Sequence, residues 1–124
     1  MKKSINAWTI PEGESFEAMF QSVAQAGFEA IELNIDRKDA SAHSLFLDAT
    51  ERDYARIRKL SWQWSLPVCS ISTSLYGGTL GSNDASEREF GKNLLVKQLE
   101  CAQALGAGAV LCVPGGMGPE TSLK

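Results

Sequence analysis

The chain has 124 residues, 44% of them hydrophobic and 22% charged, with a formal net charge of −3. That is one domain of ordinary globular composition, which excludes disorder and leaves no room for two ordinary domains. The acidic balance without a basic stripe argues against nucleic acid as a partner, and no apolar run approaches the roughly 20 residues that span a membrane.

Short β-like runs alternate with helical stretches along the sequence. Ile5 to Ile10 is the first run, closed by Pro11 and Gly13. Ser15 then offers a helix N-cap, and Phe16, Met19, Phe20 and Val23 follow at the spacing of one buried helical face. Gly27 suits the left-handed residue that ends a helix, with Phe28 folding back on the last turn. Ala30 to Asp36 is the second run, followed by a polar loop with the single histidine, His43. Thr50 and Asp53 form a capping box for a second helix whose apolar face is Tyr54, Ile57, Leu60 and Trp64. Pro67 stops it, and Val68 to Leu75 is the third run.

The glycine-rich turn Gly77 to Ser82 leads to a third helix, with Asp84 and Glu87 as its capping pair. Phe90, Leu94, Leu95, Leu99, Ala102 and Leu105 make its apolar stripe, and Gly106 ends it. Ala109 to Val113 is the fourth run, closed by Pro114-Gly115-Gly116. Both glycine-rich segments, Gly77–Ser82 and Gly115–Gly118, read equally as plain turns or as weak anion-binding loops, because neither carries a P-loop lysine. The three cysteines, Cys69, Cys101 and Cys112, sit in apolar stretches and read as buried hydrophobes; with one histidine they form no closed zinc site. The segment after Lys2-Lys3 is too short and polar for a signal peptide, so the expected location is the cytoplasm.

The pattern is βαβαβαβ over residues 1–124: four strands joined through three helices. Such strands are parallel, with right-handed crossovers. Yet the runs are not uniformly apolar, as strands covered on both faces by helices usually are. Ile31, Leu33 and Ile35 alternate with Glu32, Asn34 and Asp36; Cys69, Ile71 and Thr73 alternate with Ser70, Ser72 and Ser74. One face is therefore apolar and meets the helices. The other carries Asn6, Trp8, Glu32, Asn34, Ser72 and Ser74, and a barrel would turn it toward a lumen.

Hydroxyls, amides, a carboxylate and an indole converging on one lumen suit a polyhydroxylated small molecule. The candidate substrate-binding residues are Trp8, Glu32, Asn34, Ser72, Ser74, Tyr76 and Gly77. Plainer readings stand beside these: Glu32 as an exposed edge charge, the serines as backbone-bonded filler, Trp8 as core, His43 as a solvated loop residue.

Four stretches carry a resemblance: Ala26 to Asn34, Ser70 to Tyr76, Leu80 to Asp84, and Gln98 to Gly106 running into Val110 to Gly115. In order and spacing they resemble the xylose-isomerase-like TIM-barrel superfamily, in particular its sugar-phosphate isomerase/epimerase branch. The resemblance implies the first half of a (β/α)8 barrel and proton transfer next to the carbonyl of a sugar or sugar phosphate. It also implies a divalent metal (Mn, Mg or Co), held in that family by a glutamate, an aspartate, a histidine and a second glutamate on later strands. The two glutamates move the proton. None of those positions falls in these four strands, so the chain is expected to hold no metal and no catalytic residue, and alone to be inactive.

Two function classes follow. One is an isomerase or epimerase in which this chain supplies part of the substrate wall and the missing C-terminal half supplies the metal centre. The other is a non-catalytic half-barrel that binds a partner or a second copy of itself through open strand edges. The endonuclease relatives in the same superfamily fit less well, because the chain has no basic groove.

Overall fold

The computed structural model describes residues 2–115. Its strands are β1 (Ser4–Asn6), β2 (Ala30–Ile35), β3 (Val68–Thr73) and β4 (Ala109–Val110), and its helices are α1 (Phe16–Gln25), α2 (Glu51–Trp64) and α3 (Ala85–Leu105). The strands form one parallel sheet in the order β1-β2-β3-β4. This is the βαβαβαβ arrangement the sequence predicts, and it matches the first half of a TIM barrel.

Local chemistry sets the helix boundaries. The Ser15 hydroxyl accepts the Ala18 amide (3.2 Å) at the start of α1, and Gly27, with φ +82°, lets Phe28 bond back to Val23 (3.3 Å) at its end. The Thr50–Asp53 capping box opens α2. Asp84 caps α3 by accepting the amide of Ser86 (2.7 Å), with the Glu87 amide also bearing on its carboxylate, while its own amide bonds to the Ser82 hydroxyl (3.0 Å) and not to the Glu87 side chain. Gly106, with φ +72°, closes it.

The apolar faces of β2 and β3 meet the helices in one core. Ile31, Leu33, Ile35 and Ile71 are fully buried with Met19, Phe20, Val23, Ile57 and Leu94. The buried face of α3 differs from the expected stripe. It consists of Gly91, Leu94, Gln98, Cys101 and Ala102, whereas Leu99 and Phe90 are largely exposed. Gly91 is needed because Thr79 and Leu80 pack directly on it: a Cβ there would lie 2.6 Å from Thr79 Oγ1. The three cysteines are free thiols, Cys101 buried and the other two half-buried.

All four strands end earlier than their runs, β2 by a single residue. The Asn6 side chain accepts the Trp8 amide (2.8 Å), which turns Ala7–Thr9 into a 3-10 helix and cuts off β1. Thr73 Oγ1 accepts the Leu75 amide (3.1 Å) and ends β3. β4 has two residues, although the Leu111 amide still bonds to Ile71 (2.9 Å). Beyond β4 the chain is described as far as Gly115, so most of the Gly115–Gly118 stretch lies outside the described residues. Where β1 turns away, Leu45 takes its place beside β2. The Leu45 amide bonds to Asn34 and the Asp36 amide to Leu45, both at 2.9 Å.

His43 is not a solvated loop residue. It is buried, with Nδ1 2.8 Å from the Glu14 carbonyl and Nε2 3.1 Å from the Ala7 carbonyl, so it ties the segment before Leu45 to the chain after β1. His43→Leu keeps the volume and removes both contacts. It is expected to cost about 1–3 kcal/mol, the scale of buried acceptors left unpaired, read as a lower urea midpoint.

Candidate functional site

The polar face of the sheet is built in layers. In the deepest, the register sets Asn6 beside Glu32, and a shift between Ile31 and Glu32 brings Ser70 to the other side of Glu32. The Asn6 amide donates to Glu32 Oε1 (2.5 Å) and the Ser70 hydroxyl to Glu32 Oε2 (2.6 Å). One layer up, the Asn34 amide donates to Asn6 Oδ1 (3.0 Å) and accepts from Asn6 Nδ2 (3.2 Å). Ser72 lies in register with Asn34. Its hydroxyl is buried and has no hydrogen-bond partner among the described residues.

Above this lies a groove of about 540 Å³ at the C-terminal ends of the strands, lined by Trp8, Ser72, Ser74, Tyr76 and Gly77 together with Leu111 and Val113. Five of the seven candidate residues thus share one groove. Glu32 and Asn34 lie in the network beneath it and do not line it. Glu32 is not a free edge charge, since both its oxygens accept bonds from the sheet. Tyr76 is buried, and its hydroxyl donates to Gln98 Oε1. Burial pushes its phenol well above the usual range, so it stays a donor, and what it offers the groove is its ring.

Gly77 and Gly78 take positive φ (+51° and +90°) as the chain turns over the groove. Gly115 rests against Gly78 so closely that a Cβ on it would meet the Gly78 Cα at 2.3 Å. The glycine-rich turn is therefore a backbone crossing at the groove's rim.

Two residues were not among the candidates. Ser70 was legible from its parity with Ser72. Asp36 shares the parity of Glu32 and Asn34; it is nearly buried, accepting the Trp8 indole N–H (3.1 Å to each oxygen) and the Ser44 hydroxyl (2.6 Å). Trp8 itself is half exposed at the mouth, on the 3-10 turn and not on a strand.

The metal implied by the resemblance can be tested on these residues. Among the described residues no three His, Cys, Asp or Glu side chains come together as a metal site. Both carboxylates of the polar face, Glu32 and Asp36, are already committed to two protein donors each. The residues present do not fit such a metal. Nor is any described helix long and apolar enough to cross a membrane.

Comparison with solved structures finds the same half-barrel. D-psicose 3-epimerase, crystallised with D-fructose, matches at TM-score 0.68 and 22% identity, over 89% of this chain and 36% of that one. A xylose isomerase domain-containing protein from Salmonella typhimurium LT2 matches at 0.59 and 25% identity, over 88% of this chain and 35% of that one. The apo form of 3-keto-D-glucoside 4-epimerase from E. coli matches at 0.67 and 16% identity, over 99% of this chain and 43% of that one. The chain therefore spans less than half the length of these structures, and most of these likenesses are of fold alone. No curated protein matches the sequence. A family model for the xylose isomerase-like TIM barrel matches residues 20–124, and the chain belongs to that family.

Proposed function

We propose that this chain is the N-terminal half of a sugar isomerase or epimerase of the metal-dependent kind, and that it forms part of the substrate wall. The observation that carries this reading is the Ser72 hydroxyl, buried without a partner among the described residues at a groove lined also by the Trp8 indole, the Tyr76 ring, glycine backbone and the apolar Leu111 and Val113. A buried, unpaired hydroxyl costs about 1–3 kcal/mol, which a ligand hydroxyl recovers on binding. The deeper Asn6–Glu32–Ser70 layer holds the floor rigid. Proton transfer and the metal belong to residues outside this chain, in the cytoplasm, and the substrate is a sugar or its phosphate.

The reading is tested in an eight-stranded protein that carries this half, assayed for conversion of ketohexoses and their phosphates. In that protein Glu32→Gln is expected to leave the fold intact, since Gln can still accept from Asn6 while donating to Ser70. A neutral amide holds the floor less firmly, and kcat/KM is expected to fall about threefold or more through looser positioning of the groove above it. No change in kcat/KM would leave Glu32 a purely structural residue.

A second reading, a half-barrel that associates through its edges, draws on the strand order. β1 and β4 lie outermost, and Leu111 and Val113 beyond β4 are about half exposed.

A further inference from the structure

Trp8 has one polar side-chain atom, and the protein itself has taken it. The indole N–H lies 3.1 Å from both oxygens of Asp36, whose second donor, the Ser44 hydroxyl, sits at 2.6 Å. Ser44 in turn shares a 2.7 Å hydrogen bond with Ser41. The backbone under the ring is held as well. The Trp8 amide bonds to Asn6, and the carbonyl of Ala7 lies 3.1 Å from His43 Nε2. Residues His43 and Ser44 come from the segment that replaces β1 beside β2, so one short stretch grips both the backbone and the side-chain edge of the Trp8 region.

We infer that Asp36 is a positioning residue: it fixes the Trp8 ring as an aromatic platform at the groove mouth, and by occupying the N–H it leaves only the ring's apolar surface for a ligand. A platform of that kind takes the C–H side of a sugar and discriminates by shape instead of by a hydrogen bond. This last step rests on the proposed sugar site; the positioning itself does not.

The test uses the 124-residue chain with 15N-labelled tryptophan. Three indole N–H signals are expected, from Trp8, Trp62 and Trp64, and Trp8→Phe identifies the first. Its exchange with water is expected to be at least about tenfold slower than that of Trp62, which is 85% exposed, as a hydrogen bond to a carboxylate requires. Asp36→Ala is expected to shift the Trp8 signal and speed its exchange about tenfold, with the other two unmoved. Asp36→Asn, which retains an acceptor oxygen, is expected to restore most of the protection. It also keeps the test open if the alanine variant fails to fold.

D-fructose is then titrated into an eight-stranded protein that carries this half, with and without Asp36→Ala, and the form that keeps Asp36 is expected to bind about tenfold more tightly. A Trp8 signal indifferent to both Asp36 variants overturns the positioning role, whatever the sugar does. A signal released by Asp36→Ala, with no protein responding to sugar, upholds the positioning and overturns the sugar site.

Discussion

Gln98→Leu is expected to cost about 3 kcal/mol and to loosen the tie between α3 and β4. Gln98 is fully buried in the middle of α3, where a leucine would satisfy the helix and the local hydrophobicity. Its amide donates to the carbonyls of Ile71 and Leu111, both at 3.1 Å, and its oxygen accepts from Tyr76. The Ile71 carbonyl keeps the Leu111 amide as a partner, but the Leu111 carbonyl and the Tyr76 hydroxyl lose theirs. Each buried group left unpaired costs about 1–3 kcal/mol. Total stabilities run only to about 5–15 kcal/mol, so this is a sizeable share of the folding margin. Leu99→Gln, one residue along on the exposed side, is expected to stay within about 0.5 kcal/mol of wild type. Urea denaturation of the two variants decides, and a neutral or stabilising Gln98→Leu contradicts the tie between α3 and β4.

By itself the chain is expected not to remain a monomer at micromolar concentration. Among the described residues the sheet is parallel and open, so the outer edges of β1 and β4 present N–H and C=O groups with no neighbouring strand. Such edges recruit other strands unless prolines, charges or bulges blunt them. Ala109 to Val113 carries no proline or charge, and Leu111 and Val113 leave about half of their surface in water. Two copies closing edge to edge would satisfy both strands and cover that apolar surface. Light scattering during size exclusion is expected to give twice the monomer mass or more, and Leu111→Lys is expected to lower it by charging the edge. A sharp monomer peak with cooperative melting contradicts association through the open edges.

Much of this architecture was legible because its signals are local. Caps at Ser15, Thr50 and Asp84, stops at Gly27 and Gly106, and the alternation in β2 and β3 each depend on a few neighbouring residues. The phase of α3 was not legible, because its buried face includes a glycine and a glutamine chosen by distant partners: the Thr79–Gly81 turn in one case, two strand carbonyls in the other. The run Ile5–Ile10 has β composition throughout, yet one Asn6 side chain bonding two residues ahead overrides it. His43 was misjudged and Asp36 overlooked for the same reason. Their partners, Ala7, Glu14 and Trp8, lie 28 or more residues away and meet them only after β1 and β2 pair. Of the candidate site, the polar face and most of the groove lining followed from parity. That Glu32 and Asn34 lie below the groove did not, because parity fixes a face and says nothing of depth along it.

The most direct test of the substrate-wall account is Ser72→Ala in an eight-stranded protein that carries this half, with stability and steady-state kinetics measured on the same sample. The hydroxyl bonds to nothing in the described protein, so its removal relieves an unpaired buried group, and stability is expected to hold or to rise by about 1 kcal/mol. If the hydroxyl awaits a sugar, kcat/KM is expected to fall about fivefold or more, the scale of one hydrogen bond to a neutral group. Opposite signs for stability and activity are what a ligand-facing residue gives. Lower stability with unchanged kcat/KM would contradict the account and make Ser72 part of the scaffold.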